Sequence, residues 1–198
     1  SQHMGKRDGF LLTAMVWIVF SFFGLIPFLF CSNPLTYSDA FFEAMSGFTT
    51  TGASVINSVS DMSHGVHLWR AMMQWIGGMG IILFTLAVIP MLNHSGGMQM
   101  FNAEVTGITH DKIRPRISQT AKSLWLIYLL LTMVVILLLW AGPMSFFERV
   151  CHAFGAISTG GYSTNSSGVA AWHDSVYIKA VLIVFMFLGG VNFGLNYK

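Results

Sequence analysis

Charged side chains are scarce in this sequence: they make up only 9% of its 198 residues, while hydrophobic residues make up 54%. An average soluble domain is about a quarter charged. So few charges cannot cover the surface of a soluble fold, and we therefore expect lipid to surround much of the chain. The sequence also lacks a basic cluster outside its predicted membrane loops, so no nucleic acid partner is expected.

Cysteine is scarce too, since the chain holds only Cys31 and Cys151. The topology below places both on the outer side, where they could meet, but sequence spacing does not establish the geometry of a disulfide. Two unlinked small apolar residues are the simpler interpretation. His64 and His67 lack further ligands nearby, so we interpret them as surface polar residues rather than a metal site. No Ser/His/Asp or G-x-S-x-G pattern is present, and we do not expect an enzyme.

Four apolar runs are long enough to cross a membrane as helices. About 20 residues are needed for a hydrocarbon core of about 30 Å, and lipid offers no partner for unpaired backbone groups. The runs lack the alternation of β-strands, which favours helix. They comprise residues 10–30, 69–92, 123–141 and 176–197.

Basic residues predict the orientation of these spans. Seven lie in the N-terminal lead, between spans two and three, or at the end of the chain, and three lie on the opposite side. Positive residues concentrate in the cytosol, so we expect the N-terminus to be cytosolic. The seven are Lys6, Arg7, Lys112, Arg114, Arg116, Lys122 and Lys198, and the three are Arg70, Arg149 and Lys179.

The two outer segments, residues 33–64 and 143–174, do not resemble plain exposed loops. Each begins with an apolar-rich stretch too short to cross the membrane, at residues 37–48 or 144–157, and then breaks into Thr, Ser and Gly. A short helix followed by an irregular return is typical of a re-entrant loop. Such backbone is tolerated at membrane depth only where it lines water or is buried in protein.

The two segments also resemble each other, so the chain reads as two copies of span–loop–span in the same orientation. We align residues 44–54 with residues 152–162 at an offset of 108, and the glycine pairs of the following spans at an offset of 112. A four-residue insertion would explain the difference. Parallel copies imply packing around an axis along the membrane normal, where the loops could build a pore. The aligned pairs include Gly47 with Gly155, Thr51 with Thr159, Gly52 with Gly160, Gly77 with Gly189 and Gly78 with Gly190.

The loops carry the chemistry of a potassium filter. Rings of backbone carbonyls can replace the water around K⁺, glycine permits the positive φ that such a turn needs, and threonine adds a hydroxyl acceptor. K⁺ is the only bound ion expected. The candidate ligands are Thr49, Thr50, Thr51, Gly52 and Ala53 in the first filter, and Ile157, Ser158, Thr159, Gly160 and Gly161 in the second.

Charged residues near the loops have simpler interpretations. Asp39 and Glu43 could draw cations to the pore mouth, and a solvated helix face is as good an explanation. Arg70 is interpreted as a snorkelling anchor at the outer end of its span. The glycines at residues 77–80 and 189–190 favour close helix packing, with a hinge or a wider inner pore as the alternative.

In these segments the chain resembles the Trk/Ktr/HKT superfamily of potassium transporters, closest to the bacterial TrkH branch. The resemblance covers nearly the whole chain and is specific in combination. It is carried by DAFFE at 39–43, SGFTTTGA at 46–53, QWIGGMGI at 74–81, RPRI at 114–117, STGGY at 158–162 and GGVNFG at 189–194.

The resemblance implies an all-α membrane protein of tandem M1–P–M2 repeats (helix, re-entrant pore loop, helix) around a pore axis. Residues 1–92 would be the first repeat with its filter at 49–53, residues 93–122 a cytosolic connecting segment, and residues 123–198 the second repeat with its filter at 157–161. The key glycines would be Gly52 and Gly160. Sodium-preferring plant relatives carry serine in the first filter, so Gly52 indicates potassium.

The function implied is potassium uptake across the bacterial inner membrane by a pore-forming subunit. The family works as a homodimer with a cytosolic nucleotide-binding regulatory subunit. Its members hold four repeats and this chain holds two, so we expect an unfinished portion of a longer protein, completed by its remaining repeats or by a second copy. The alternatives are a two-pore-domain-type channel that closes its ring by dimerising, and a non-conducting membrane subunit.

Overall fold

The computed structural model describes residues 6–93 and 113–190 of the chain, with side chains described in 10–82 and 121–190. All regular structure in these ranges is helical. The predicted connecting segment at residues 93–122 lies mostly outside them, as does the end of the fourth predicted span. The helices are α1 (Lys6–Gly24), α2 (Ile26–Leu29), α3 (Tyr37–Phe48), α4 (His64–Asn93), α5 (Ile113–Leu139), α6 (Phe146–Ile157) and α7 (Val176–Gly190), with 3₁₀ turns at Val59–Asp61 and Gly168–Trp172.

Long apolar helices provide the candidate membrane spans. Among the described residues, Phe10–Leu29 and Ala121–Leu139 are long and apolar enough to cross a bilayer, and Val176–Gly190 is a shorter apolar helix. Large side chains on α1 and α5 point outward, such as Phe23 at 67% exposure and Leu137 at 63%. These outward faces suit a lipid solvent.

In the first repeat, the short helix α3 packs between the long helices α1 and α4. It is capped by Thr36, whose hydroxyl accepts a hydrogen bond from the Asp39 N–H at 3.2 Å. Its inner face carries Ala40 and Ala44, which are fully buried and let the helices approach closely. The first re-entrant loop therefore descends beside α1 and α4 on a short, capped helix.

The second repeat reproduces this arrangement with α5, α6 and α7. Helix α6 begins at a capping box, in which Ser145 caps the Glu148 N–H and the Glu148 carboxylate accepts from the Ser145 N–H at 2.7 Å. The capping residues of α6 lie 109 positions after Thr36 and Asp39 of α3. Both short helices thus begin with a hydroxyl side chain that caps the N–H of an acidic residue three positions later.

Helix α4 joins the two repeats, because it packs against α3 of its own repeat and also against α5 and α6 of the next. The Trp75 indole donates to the Thr132 hydroxyl at 3.0 Å, and the Tyr128 hydroxyl donates to the Trp75 carbonyl at 2.9 Å. A long helix of the first repeat therefore forms part of the surface on which the second re-entrant loop packs.

The structure agrees with the interpretations of the two cysteines and of His64 and contradicts that of His67. Cys31 and Cys151 are free thiols, as the simpler interpretation holds. His64 is exposed and its ring contacts Phe147 at 4.7 Å between centroids. The surface interpretation of His67 is wrong, because only 7% of this residue is exposed.

Candidate functional site

The two loops adopt the same unusual backbone immediately after their short helices. In the first loop, Thr50 has a φ of 55° and Gly52 a φ of 75°. In the second, Thr159 has a φ of 57° and Gly161 a φ of 80°. A non-glycine residue at positive φ is uncommon, and the same spacing in both loops marks one shared turn. We call residues 49–52 the first turn and residues 158–161 the second turn.

The turns correspond at an offset of 109, so the alignment made from the sequence is wrong by one residue. Helices α3 and α6 also begin and end 109 positions apart. The counterpart of Gly52 is therefore Gly161, and Gly160 corresponds to Thr51. The sequence alignment paired the Thr-Gly dipeptide of one loop with that of the other and so missed this register. The shared feature is instead a positive φ at two alternate positions, 50 and 52 or 159 and 161.

The glycine pairs of the long helices do correspond at the predicted offset of 112. A Cβ added to Gly77 would strike the carbonyl of Phe48, the last residue of α3. A Cβ added to Gly189 would lie 2.5 Å from the carbonyl of Ile157, the last residue of α6. The insertion between turn and long helix is thus three residues rather than four. These two glycines serve close helix packing, as favoured from the sequence.

Both turns direct their N–H groups back toward the short helix. The N–H groups of residues 51–52 donate to the Ser46 carbonyl at 3.0 and 3.5 Å, and those of residues 160–161 donate to the Gly155 carbonyl at 2.9 and 3.3 Å. The N–H groups of Thr50 and Thr159 also donate to carbonyls of their short helices. In a trans peptide the carbonyl points opposite to the following N–H. The carbonyls of residues 49–51 and 158–160 therefore face away from the helices.

Ala53 and Ile157 lie behind this row of carbonyls. The Ala53 carbonyl accepts hydrogen bonds from the Ser46 hydroxyl at 2.6 Å and the Tyr162 hydroxyl at 3.3 Å. Ile157 ends α6 with 1% of its surface exposed, and its carbonyl faces Gly189. The structure places the other predicted ligands in the two turns.

The threonine and serine hydroxyls at the start of each turn are held by the short helices. The Thr49 hydroxyl donates to the Met45 carbonyl at 2.8 Å and contacts the Thr51 hydroxyl at 2.8 Å. The Ser158 hydroxyl donates to the Phe154 carbonyl at 2.7 Å. These bonds stiffen the entry to each turn.

The two turns lie directly beside each other. A Cβ on Gly52 would strike the carbonyl of Gly160, so only hydrogen fits there. Behind the contact lies Gln74 of α4, which is fully buried, and its Oε1 accepts the Tyr162 N–H at 3.2 Å. A Cβ on Gly160 would lie 2.5 Å from the Gln74 Nε2. The absence of a side chain at Gly160 thus makes room for a side chain of the other repeat.

A buried ion pair supports the first turn, which corrects the interpretations of Glu43 and Arg70. The Arg70 Nη2 lies 2.7 Å from the Glu43 Oε1, and the two side chains are 2% and 0% exposed. The carboxylate also accepts from the Ser54 hydroxyl at 2.9 Å and the Val55 N–H at 3.2 Å. Glu43 therefore neither attracts cations at a mouth nor faces solvent, and Arg70 does not snorkel. Glu43 lies on α3 and Arg70 on α4, 27 positions along the chain, so local pattern could not reveal the pair.

Tyr162 is a site residue that sequence reasoning did not select. Its ring lies 4.0 Å from the Arg70 guanidinium carbon, and its hydroxyl donates to the Glu43 carbonyl at 3.0 Å. Burial raises the pKa of the Tyr162 phenol, and the nearby Glu43 charge adds to this. The hydroxyl is thus a neutral donor at physiological pH. The sequence feature that could have identified this residue is its place immediately after Gly160 and Gly161.

The second repeat has no ion pair at the positions equivalent to Glu43 and Arg70. The positions equivalent to Glu43 and Arg70 hold His152 and Leu182. The His152 Nε2 lies 3.2 Å from the hydroxyl of Ser163, the counterpart of Ser54. The support behind the two turns is therefore similar in shape and different in chemistry.

Comparison with known proteins identifies close similarity over the whole chain. A family model described as "TrkH: Cation transport protein" matches residues 1–198. The "Trk system potassium uptake protein TrkH" of Escherichia coli K12 is 43% identical over 195 residues, which cover 98% of this chain and 40% of that protein. The "Trk system potassium uptake protein TrkG" of the same organism is 36% identical over 193 residues, covering 96% and 39%. The chain spans about two fifths of the length of these relatives.

A solved structure supports the fold. The crystal structure of the potassium transporter TrkH from Vibrio parahaemolyticus matches with a TM-score of 0.81 and 36% identity, covering 96% of this chain and 37% of that one. This likeness confirms the predicted fold class, an all-α membrane protein built of helix–re-entrant loop–helix repeats.

Proposed function

Because the chain belongs to the TrkH family of cation transport proteins, we propose that it supplies two repeats of the pore by which a transporter takes up K⁺ across the bacterial inner membrane. The observation that carries this proposal is the pair of adjoining turns, in which the carbonyls of residues 49–51 and 158–160 face away from the short helices. The matched relatives, which are named as potassium uptake proteins, favour it over a two-pore-domain channel or a non-conducting subunit.

Uncharged carbonyls suit a permeating K⁺. Such oxygens replace the hydration shell without binding so tightly that the ion cannot leave. The Glu43 carboxylate, which accepts hydrogen bonds from Ser54 and Val55 after the first turn, is neutralised by Arg70. In this proposal selectivity rests on the number and placement of carbonyls, with no formal charge among the ligands.

The short helices add to the attraction for a cation. Helices α3 and α6 each have 12 residues and end where the turns begin. The C-terminal end of a helix carries a partial negative charge. Both ends lie beside the row of carbonyls, where they would stabilise a cation that has lost its water.

Two turns supply half of a fourfold ring, so the proposal includes further protein around the axis. The other half would come from the remaining repeats of the same protein or from a second copy. A homodimer, surrounding membrane lipid, a cytosolic nucleotide-binding regulatory subunit and a cytosolic N-terminus are proposed from the family resemblance.

Replacement of Gly52 by Ser tests the proposal. The substitution puts a side chain at a φ of 75° and against the Gly160 carbonyl, so the two turns must move apart. We expect Gly52→Ser to weaken the preference for K⁺ over Na⁺. The measurement is uptake of each ion into liposomes that hold this chain extended by the C-terminal part of the E. coli relative.

The control is Gly168→Ser, since Gly168 has a φ of 62° outside the turns and open space around a Cβ. The control should keep the ion preference of the original sequence. An unchanged preference in Gly52→Ser would remove Gly52 from the filter.

A further inference from the structure

Tyr162 belongs to the second repeat but holds a carbonyl of the first. It follows the second turn directly, and 6% of the residue is exposed. Its hydroxyl lies 3.3 Å from the Ala53 carbonyl and 3.0 Å from the Glu43 carbonyl, so it reaches two acceptors of the other repeat. A buried phenol hydroxyl normally finds a partner, and here both partners adjoin the first turn.

The position of the ring is fixed by the buried ion pair. The Arg70 guanidinium carbon lies 4.0 Å from the ring centroid, within the range of a cation–π contact. Arg70 is in turn bonded to Glu43 and to the Ser54 hydroxyl, at 3.1 Å for the latter. Since all these groups are buried or partly buried, the ring has little freedom to swing away from the first turn.

The backbone of Tyr162 is anchored from the first repeat as well. Its N–H donates to the Oε1 of Gln74, a fully buried side chain of α4. Within the described part of the chain, the Gln74 Nε2 has no hydrogen-bond partner. That Nε2 lies 3.6 Å from the place a Cβ on Gly52 would take. Tyr162 is thus held at both ends, by Gln74 at its N–H and by Ala53 and Glu43 at its hydroxyl.

The hydroxyl contact of Tyr162 has no counterpart at the equivalent position of the first repeat. The counterpart of Tyr162 in the first repeat is Ala53, whose methyl group cannot reach a carbonyl of the second turn. The Ala53 carbonyl accepts from Ser46 of its own short helix and from Tyr162. The exit of the first turn is therefore held by a side chain of the second repeat, and the exit of the second turn is held through the Tyr162 N–H by Gln74 of the first repeat.

We propose that Tyr162 is a positioning residue for ion selectivity, a strut from the second repeat that fixes the exit of the first turn through the Ala53 carbonyl. The inference rests on the proposed potassium pore. Fixing the Ala53 carbonyl fixes the peptide between Ala53 and Ser54, so the chain is anchored one residue after the first turn. This anchor limits how far the first row of carbonyls can close around a smaller ion. Without the strut, the first turn should accommodate Na⁺ more easily.

The variant Tyr162→Phe removes only the hydroxyl and leaves the ring on Arg70. One hydrogen bond of this kind contributes about 0.5–1.5 kcal/mol, so we expect the ratio of K⁺ to Na⁺ uptake to fall about two- to tenfold. Uptake is measured in liposomes that hold the extended chain described above. The control is Tyr177→Phe, which removes a phenol hydroxyl bonded to the Leu138 carbonyl on the exposed side of α7.

A lowered ratio in Tyr162→Phe with an unchanged ratio in Tyr177→Phe supports the strut. An equal fall in uptake of both ions, or no change, overturns it, because a purely structural role would not alter the ratio.

If Tyr162→Phe passes neither ion, a second measurement decides: the thermal stabilisation of the purified protein by K⁺ compared with that by Na⁺, since ions that bind the folded state raise its stability. A variant that keeps the original difference between the ions overturns the strut. Original protein that does not prefer K⁺ would contradict the proposed function itself.

Discussion

At the scale of single residues, the second turn offers a position where backbone conformation can be tested alone. Gly161 has a φ of 80°, and nothing lies within 4 Å of a Cβ built on it. The substitution Gly161→Ala therefore adds strain of about 1 kcal/mol without a steric clash. We expect the ratio of K⁺ to Na⁺ uptake to fall, because the carbonyl of Gly160 must rotate.

The control for this prediction is Gly168→Ala, which imposes similar strain in a loop outside the turns. Both variants should lose a similar amount of stability in thermal unfolding, and only Gly161→Ala should change the uptake ratio. Equal ratios in the two variants would show that the second turn takes no part in selection.

The buried ion pair gives a second prediction at this scale. Removing one charge leaves the other buried without a partner, which costs about 3–5 kcal/mol. We expect Arg70→Leu to lower the free energy of unfolding by about that amount in denaturant titrations of the purified protein. The double variant Glu43→Gln with Arg70→Leu should recover more than half of the loss.

The second repeat supports this expectation, since it holds His152 and Leu182 at the equivalent positions and keeps the same turn. Additive losses in the double variant would show that the two charges do not act as a pair.

Residue chemistry was predictable from the sequence only in part. The Thr- and Gly-rich segments indicated the turns, because glycine permits positive φ. The register of the second turn was not predictable, since Thr50 and Thr159 adopt positive φ although neither is glycine. The role of Tyr162 depends on contacts between repeats, and that of Glu43 on a pair with Arg70 27 positions along the chain, and no local pattern encodes either.

At the scale of helices, close packing of each short helix on the following long helix depends on one glycine. Gly189 and Gly190 are adjacent in α7, yet only Gly189 faces α6: a Cβ there would lie 2.5 Å from the Ile157 carbonyl, against 3.9 Å from the Thr159 Cγ2 for Gly190. We expect Gly189→Ala to push α6 away from α7 and lower both thermal stability and K⁺ uptake.

The neighbouring variant Gly190→Ala serves as the control and should behave nearly as the original sequence does. Losses of the same size in both variants would indicate that helix flexibility matters at this pair, and not the contact with α6.

The helices themselves were largely predictable. Apolar runs predicted the long helices, and the first short helix matches its predicted stretch at residues 37–48. The second begins at Phe146, two residues later than its apolar stretch, because Ser145 and Glu148 form a capping box there. Packing of α4 on α6 was not predictable, since it arises from how the two repeats pack against each other.

At the scale of the whole molecule, the two repeats place two equivalent turns side by side. Parallel repeats around an axis along the membrane normal bring equivalent loops together, and in this structure the contact between Gly52 and Gly160 is where they meet. Further repeats related by the same rotation about this axis would close a ring. The family resemblance predicts four repeats in that ring, and this chain provides the geometry of two.

The central claim is that these turns form half of a potassium pathway, and K⁺ flux into liposomes tests it most directly. One preparation holds this 198-residue chain, and the other holds the same chain extended at its C-terminus by the corresponding part of the E. coli relative. We predict K⁺ flux from the extended chain, in preference to Na⁺, and none from the shorter chain alone. Absence of K⁺ flux from an extended chain that is folded and inserted would contradict the claim.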